Sequence, residues 1–278
     1  MTEKASDRIT GTAAGVPFLA SPPAARPRAS APVVLAWHLS DPPRSEAAFA
    51  AQVPLTGLDA WRIYLGLPLH GSRMPAGGVD ALMRLGYDDA VLKLHMPVVY
   101  GAAEELGPAL RELRERFGLE DGGISVMGGS IGAAVAELVL AEGELDVSAA
   151  VLISPVVQLR RAVEAVGRRF GLSYPWSDQS NAVADRLDFL ARAGEIAARG
   201  EPATLLIVGQ DDDAGFHQPA AKLASALAES YGTDDRARVV TVPQMEHALA
   251  DEPGIEPAPQ TPHAAVVDRH AAEWFGRH

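Results

Sequence analysis

A mostly parallel α/β sheet with helices on both faces is the fold that three observations predict. Short apolar runs bounded by Gly or Pro recur along the chain, as buried strands require. Segments with apolar residues three and four apart alternate with them, which is the helical period. A glycine-rich turn, Gly128-Gly129-Ser130-Ile131-Gly132, joins one such strand directly to one such helix. Alternation of this kind favours parallel strands connected by crossover helices.

In chain order, Val16 to Ala20 is a short apolar piece, followed by a Pro-, Ala- and Arg-rich loop from Ser21 to Pro32. Val33 to His38 and Trp61 to Leu65 read as buried strands. Leu106, Leu110, Leu113 and Phe117 share one face of a helix over 103–117, which Gly118 stops. Strand 123–127, helix 131–142, strand 149–153, strand 204–208, a helix near 217–230 and strand 238–242 follow. Thr261 caps a final helix with Pro262 at its first position, where the missing N–H is harmless, and Val267, Ala271 and Trp274 face inward. Residues 1–31 are expected to form an N-terminal segment, partly flexible, and 32–278 a single domain.

The alternation breaks between Pro155 and Pro202. Two amphipathic stripes stand there, Leu159, Val163, Val166 and Phe170, then Val183, Leu187 and Leu190, joined by the aromatic turn Gly171 to Trp176. An excursion of this length after a strand end reads as a helical lid at about 156–201, because open α/β sheets bind ligands outside the carboxyl ends of their strands. Tyr174 and Trp176 are then candidates for the substrate pocket. Ordinary core helices are the alternative.

Composition narrows the function. The chain has 278 residues, 47% hydrophobic, a formal charge of −12 and no cysteine. The negative charge argues against nucleic acid or an anionic membrane as the partner. Without cysteine there are no disulfides, thiolate nucleophiles or zinc–thiolate sites. Met1 to Thr10 lacks an apolar core of the signal-peptide kind, and no uncharged run reaches the ~18 residues a membrane span needs. A cytoplasmic protein without metal or cofactor is expected; oligomeric state is not readable.

The turn at Ser130 carries the chemistry. A G-x-S-x-G between strand and helix pushes one hydroxyl out of a sharp bend, and the helix N-terminus beneath it offers free N–H groups and a positive dipole end. A serine needs a base, and the base needs an orienting group. Among eight histidines, His247 stands at a strand end, five residues after Val242 and before the last helix. A carboxylate run, Asp211-Asp212-Asp213, follows strand 204–208; the segment after strand 149–153 has none.

The order Ser130, aspartate 211–213, His247, together with the strand–G-x-S-x-G–helix context, resembles the α/β-hydrolase superfamily from about Val33 to the C-terminus. The resemblance implies an acid three positions after a glycine, which from Gly209 selects Asp212, with Asp213 as runner-up. Trp61 to Ser72 is similar to the family's strand leading into D-x-P-G-H-G-x-S; Gly66 and Leu69 depart from it, and His70 there is implied to be structural. The family's His-Gly after the preceding strand is replaced by Trp37-His38-Leu39-Ser40-Asp41. A backbone donor needs no particular side chain, so Leu39 or His38 N–H would complete an oxyanion hole beside Ile131 N–H, while Trp37 and His38 either contact substrate or simply pack.

The expected activity is therefore hydrolysis of a carboxylic ester or thioester through an acyl-enzyme, with Ser130, His247 and Asp212 as triad and a small-molecule substrate. An acyltransferase or peptidase on the same scaffold, and a non-catalytic binder of a small apolar ligand, are the alternatives.

Overall fold

Apolar runs too short for helices pair into one eight-stranded sheet in the computed structural model, which describes residues 8–278. The strands are β1 (Ile9–Ala13), β2 (Val16–Ser21), β3 (Val33–Trp37), β4 (Trp61–Leu65), β5 (Ile124–Gly129), β6 (Val147–Ile153), β7 (Ala203–Gly209) and β8 (Ala237–Val242). Their order is β1-β2-β4-β3-β5-β6-β7-β8. The pairs β1/β2 and β2/β4 are antiparallel and all the rest are parallel. Every residue of β3, β4 and β7 is buried, as central strands covered on both faces must be.

From Ile9 onward the N-terminal segment belongs to this same sheet; positions 1–7 of the expected flexible segment lie outside the described residues. Ala14 and Gly15, both at positive φ, turn β1 back on β2, and β2 pairs with β4 from Phe18 to Ser21. The sequence reading contained no counterpart to β1, whose residues Ile-Thr-Gly-Thr-Ala are mostly exposed and carry little apolar signal.

Helices α1 (Glu46–Gln52) and α9 (Pro262–Phe275) cover one face. The other holds α3 (Met96–Phe117), α4 (Ile131–Glu142) and α8 (Ala214–Tyr231). Helix α3 begins at Met96 rather than Ala103, because the turn Ala90–His95 of π-helix feeds into it. Before that lies α2 (Gly78–Asp89), unassigned from sequence; it buries only Leu82, so its apolar period is faint.

The excursion after β6 holds three helices rather than two: α5 (Leu159–Phe170), α6 (Asp178–Arg186) and the short α7 (Ala193–Ala197). Leu187 ends α6, so Leu190 falls in a turn instead of extending the second stripe. Tyr174 donates to Asp89 Oδ1 at 2.5 Å, tying the α5–α6 connection to the end of α2.

Candidate active site

Glycine makes the nucleophile turn possible. A Cβ at Gly128 would stand 2.1 Å from Gly132 O, and one at Gly132 would stand 2.4 Å from His38 O. The loop after β3, the end of β5 and the start of α4 therefore touch backbone to backbone. Ser130 between them has φ 49 and ψ −115, a conformation costly for an L-residue and held by the surrounding contacts. Its N–H donates to Ile153 O at 2.8 Å, fixing the bend to β6.

The three side chains singled out from sequence converge above the carboxyl ends of the strands. Ser130 Oγ lies 2.8 Å from His247 Nε2, and His247 Nδ1 lies 2.8 Å from Asp212 Oδ2. Asp212 is nearly sealed, with 2% of its side chain exposed, and its other oxygen accepts the Asp213 N–H at 2.7 Å. Asp213 faces elsewhere: it caps α8 by accepting from Gly215 N–H and pairs with Arg168. Of the two aspartates, only Asp212 reaches the imidazole. Burial pulls the His247 pKa down, but the hydrogen bond and charge of Asp212, helped by Asp41, outweigh it and leave the pKa raised.

A buried carboxylate on one ring nitrogen selects the tautomer whose other nitrogen can accept a proton from an alcohol. Such an arrangement can generate an alkoxide nucleophile. The N–H groups of Ile131, at the start of α4, and of Leu39, after β3, donate to no acceptor among the described residues.

The aromatic candidates fare differently. Trp37 is 1% exposed within the core, and His38 commits both ring nitrogens to backbone, Nδ1 to Leu39 O at 2.7 Å and Nε2 to Leu67 N–H at 3.3 Å. Neither ring is available to a substrate, which corrects the expectation that they contact one. Both side chains are buried, while the backbone that carries them packs against Gly132. Tyr174 and Trp176 pack edge-to-face at 4.7 Å, and the Arg160 guanidinium lies 4.2 Å over the indole. They clasp α5 and α6 to the π-helical turn; no contact joins either ring to Ser130, Asp212 or His247 among the described residues. His70 bridges Ser40 Oγ and Pro68 O, both at 2.9 Å, so it braces the loop.

Two neighbours of the imidazole were not singled out from sequence. Phe216, on the first turn of α8, places its ring 4.3 Å from that of His247. Asp41 Oδ2 lies 3.9 Å from His247 Nε2. A carboxylate at the end of the segment after β3 was the available signal for Asp41; nothing marked Phe216.

Fold and site together define a serine hydrolase of the α/β-hydrolase fold. More particularly, the chain belongs to the prolyl oligopeptidase family, whose profile matches residues 103–262. No curated protein sequence matches it. Among solved structures, TT1662 from Thermus thermophilus is similar at TM-score 0.65 and 20% identity, over 97% of this chain and 96% of that one. An esterase from the planctomycete Thermogutta terrifontis aligns at TM-score 0.58 and 17% identity, over 97% and 91%. A puromycin-hydrolyzing peptidase from Mycobacterium tuberculosis aligns at TM-score 0.61 and 16% identity; it covers 98% of this chain, which spans only 40% of the peptidase.

Proposed function

We propose that the protein hydrolyses a carboxylic ester through a serine acyl-enzyme, with Ser130 as nucleophile, His247 as general base and acid, and Asp212 as its orienting carboxylate. The observation that carries this reading is the unbroken chain of two 2.8 Å contacts from Asp212 through His247 to Ser130. In the first half-reaction Ser130 Oγ bonds to the carbonyl carbon while its proton passes to His247 Nε2. The tetrahedral oxyanion rests on the Ile131 and Leu39 N–H groups. Collapse breaks the bond to the leaving alkoxide, which takes the proton from His247. Water then repeats the sequence on the acyl-enzyme, releasing the acid and restoring the serine.

Membership of the prolyl oligopeptidase family supports a second reading, in which the scissile bond is an amide. The same groups serve both bonds, the amide demanding protonation of a poorer leaving group. A panel of 4-nitrophenyl acyl esters and aminoacyl 4-nitroanilides separates the two. Ser130→Ala should reduce turnover of whichever class is cleaved by roughly 10⁴-fold or more. Undiminished turnover in that variant would reject the proposal.

A further inference from the structure

A carboxylate that the triad does not use stands beside the imidazole. Asp212 occupies Nδ1 from within; Asp41 lies 3.9 Å from Nε2, the atom that also holds Ser130 Oγ, and its side chain is 51% exposed. In the resting enzyme Nε2 accepts the serine proton, so it has no hydrogen to give Asp41, and the separation exceeds hydrogen-bonding range.

Asp41 also forms no ion pair with a Lys or Arg among the described residues. Arg44, on the same loop, directs its guanidinium to Glu252, to Pro253 O at 2.8 Å and, through Nε, to Ser40 O at 2.9 Å. Arg169 on α5 influences His247 by its charge but makes no ion pair with Asp41 among the described residues. The residues on either side are pinned: Ser40 by His70, and Pro42 by the Leu249 N–H at 3.0 Å. The loop thus holds a half-exposed carboxylate, without a Lys or Arg partner among the described residues, at a fixed place 3.9 Å from the nitrogen that also holds the nucleophile.

We propose that Asp41 anchors a protonated amine on the acyl part of the substrate, so that the preferred substrates are aminoacyl esters or amides with a free ammonium close to the scissile carbonyl. The proposal rests on the triad assignment above and names its substrate class. An α-ammonium is separated from the carbonyl carbon by one carbon only, so a carbonyl placed for attack by Ser130 brings the amine into the space beside His247 where Asp41 waits. An anionic group there meets repulsion instead, and like-charge opposition serves selectivity as much as attraction does.

The test compares alanine benzyl ester with propionic acid benzyl ester, which lacks only the ammonium, at a pH where the amine is protonated. The wild-type enzyme should favour the alanine ester in kcat/KM by roughly 10- to 100-fold. Asp41→Asn should collapse that ratio toward unity, Asp41→Glu should retain most of it, and Asp41→Lys should turn the preference toward a hemisuccinate ester. Removing the charge also alters the basicity of His247, but that change acts on both esters alike and cancels in the ratio. Equal efficiency toward the two esters in the wild type, or a ratio that survives Asp41→Asn, overturns the anchor alone. A wild type that cleaves neither ester, or Ser130→Ala cleaving both at the parent rate, overturns the hydrolase reading beneath it.

Discussion

The side chain of Leu39 fills the space that a Cβ on Gly129 would need: the added atom would lie 2.3 Å from Leu39 Cδ1. One packing contact thereby sets the distance between the loop after β3 and the turn that carries Ser130. The two N–H groups proposed above as oxyanion donors, on Leu39 and Ile131, belong to these two segments, so their spacing depends on a missing methyl group.

Gly129→Ala should therefore damage catalysis beyond its effect on folding. Displacing Leu39 costs about 1–3 kcal/mol of stability by overpacking, and loss of one oxyanion donor costs about 10²–10³ in kcat. Denaturant unfolding and ester turnover on the same preparation check both. A variant as active as the parent would show that the Leu39 segment takes no part in the reaction.

The two aspartates in sequence should separate cleanly. Asp212→Asn leaves an amide against His247 Nδ1, disfavours the useful tautomer and should lower kcat by about 10⁴. Asp213→Asn weakens the α8 cap and its ion pair with Arg168, at about 1 kcal/mol or less, with activity within a few-fold of the parent. Reversal of these effects in paired kinetic and thermal measurements would exchange the assignments.

His247 must be neutral to accept the serine proton, and its pKa lies above the ordinary 6.5. The acid limb of kcat/KM for a neutral ester should accordingly have its midpoint above pH 6.5. Asp41→Asn removes one of the charges that favour the imidazolium and should move that midpoint to lower pH. A wild-type limb centred below the ordinary value contradicts the electrostatic account.

Glu137, in the middle of α4, is fully buried and both carboxyl oxygens lack a partner among the described residues. Burial holds its pKa well above the usual carboxylate range. The folded state thus keeps a proton that the unfolded chain releases, so stability declines as pH rises above about 4.5, the unfolded value. Glu137→Leu should abolish this slope and stabilise the protein at neutral pH by about 1–3 kcal/mol. The buried histidines act with the opposite sign. Burial chiefly lowers His38 to about 3 and His70 and His95 to about 4, so the unfolded chain takes up protons first, and stability falls between pH 6.5 and 4. Chemical denaturation across this range, in the parent and in Glu137→Leu, resolves the two limbs.

Much of the architecture was visible in local patterns. β3, β4, β5, β6, β7 and β8 announced themselves because fully or half-buried strands need apolar runs whatever their partners. Ser130 was visible because a bend that excludes Cβ atoms must be written with glycines. β1 and α2 were not, since each buries few residues and so leaves a weak period. The start of α3 was hidden as well: the apolar face that marks the helix begins at Leu106, whereas the helix itself starts at Met96, fed by a π-helical turn.

Residue order alone determined the strand–turn–helix at Ser130, the rank of Ser130, aspartate and His247 along the chain, and the doubly covered sheet. Tertiary structure decided which aspartate turns inward, that Trp37 and His38 belong to the core, and that Asp41 lies 3.9 Å from the nitrogen that holds the nucleophile. The division has a physical origin. Backbone sterics and burial act between near neighbours and leave a local imprint, whereas the direction of a side chain at a strand end is set by atoms that folding brings from far along the chain.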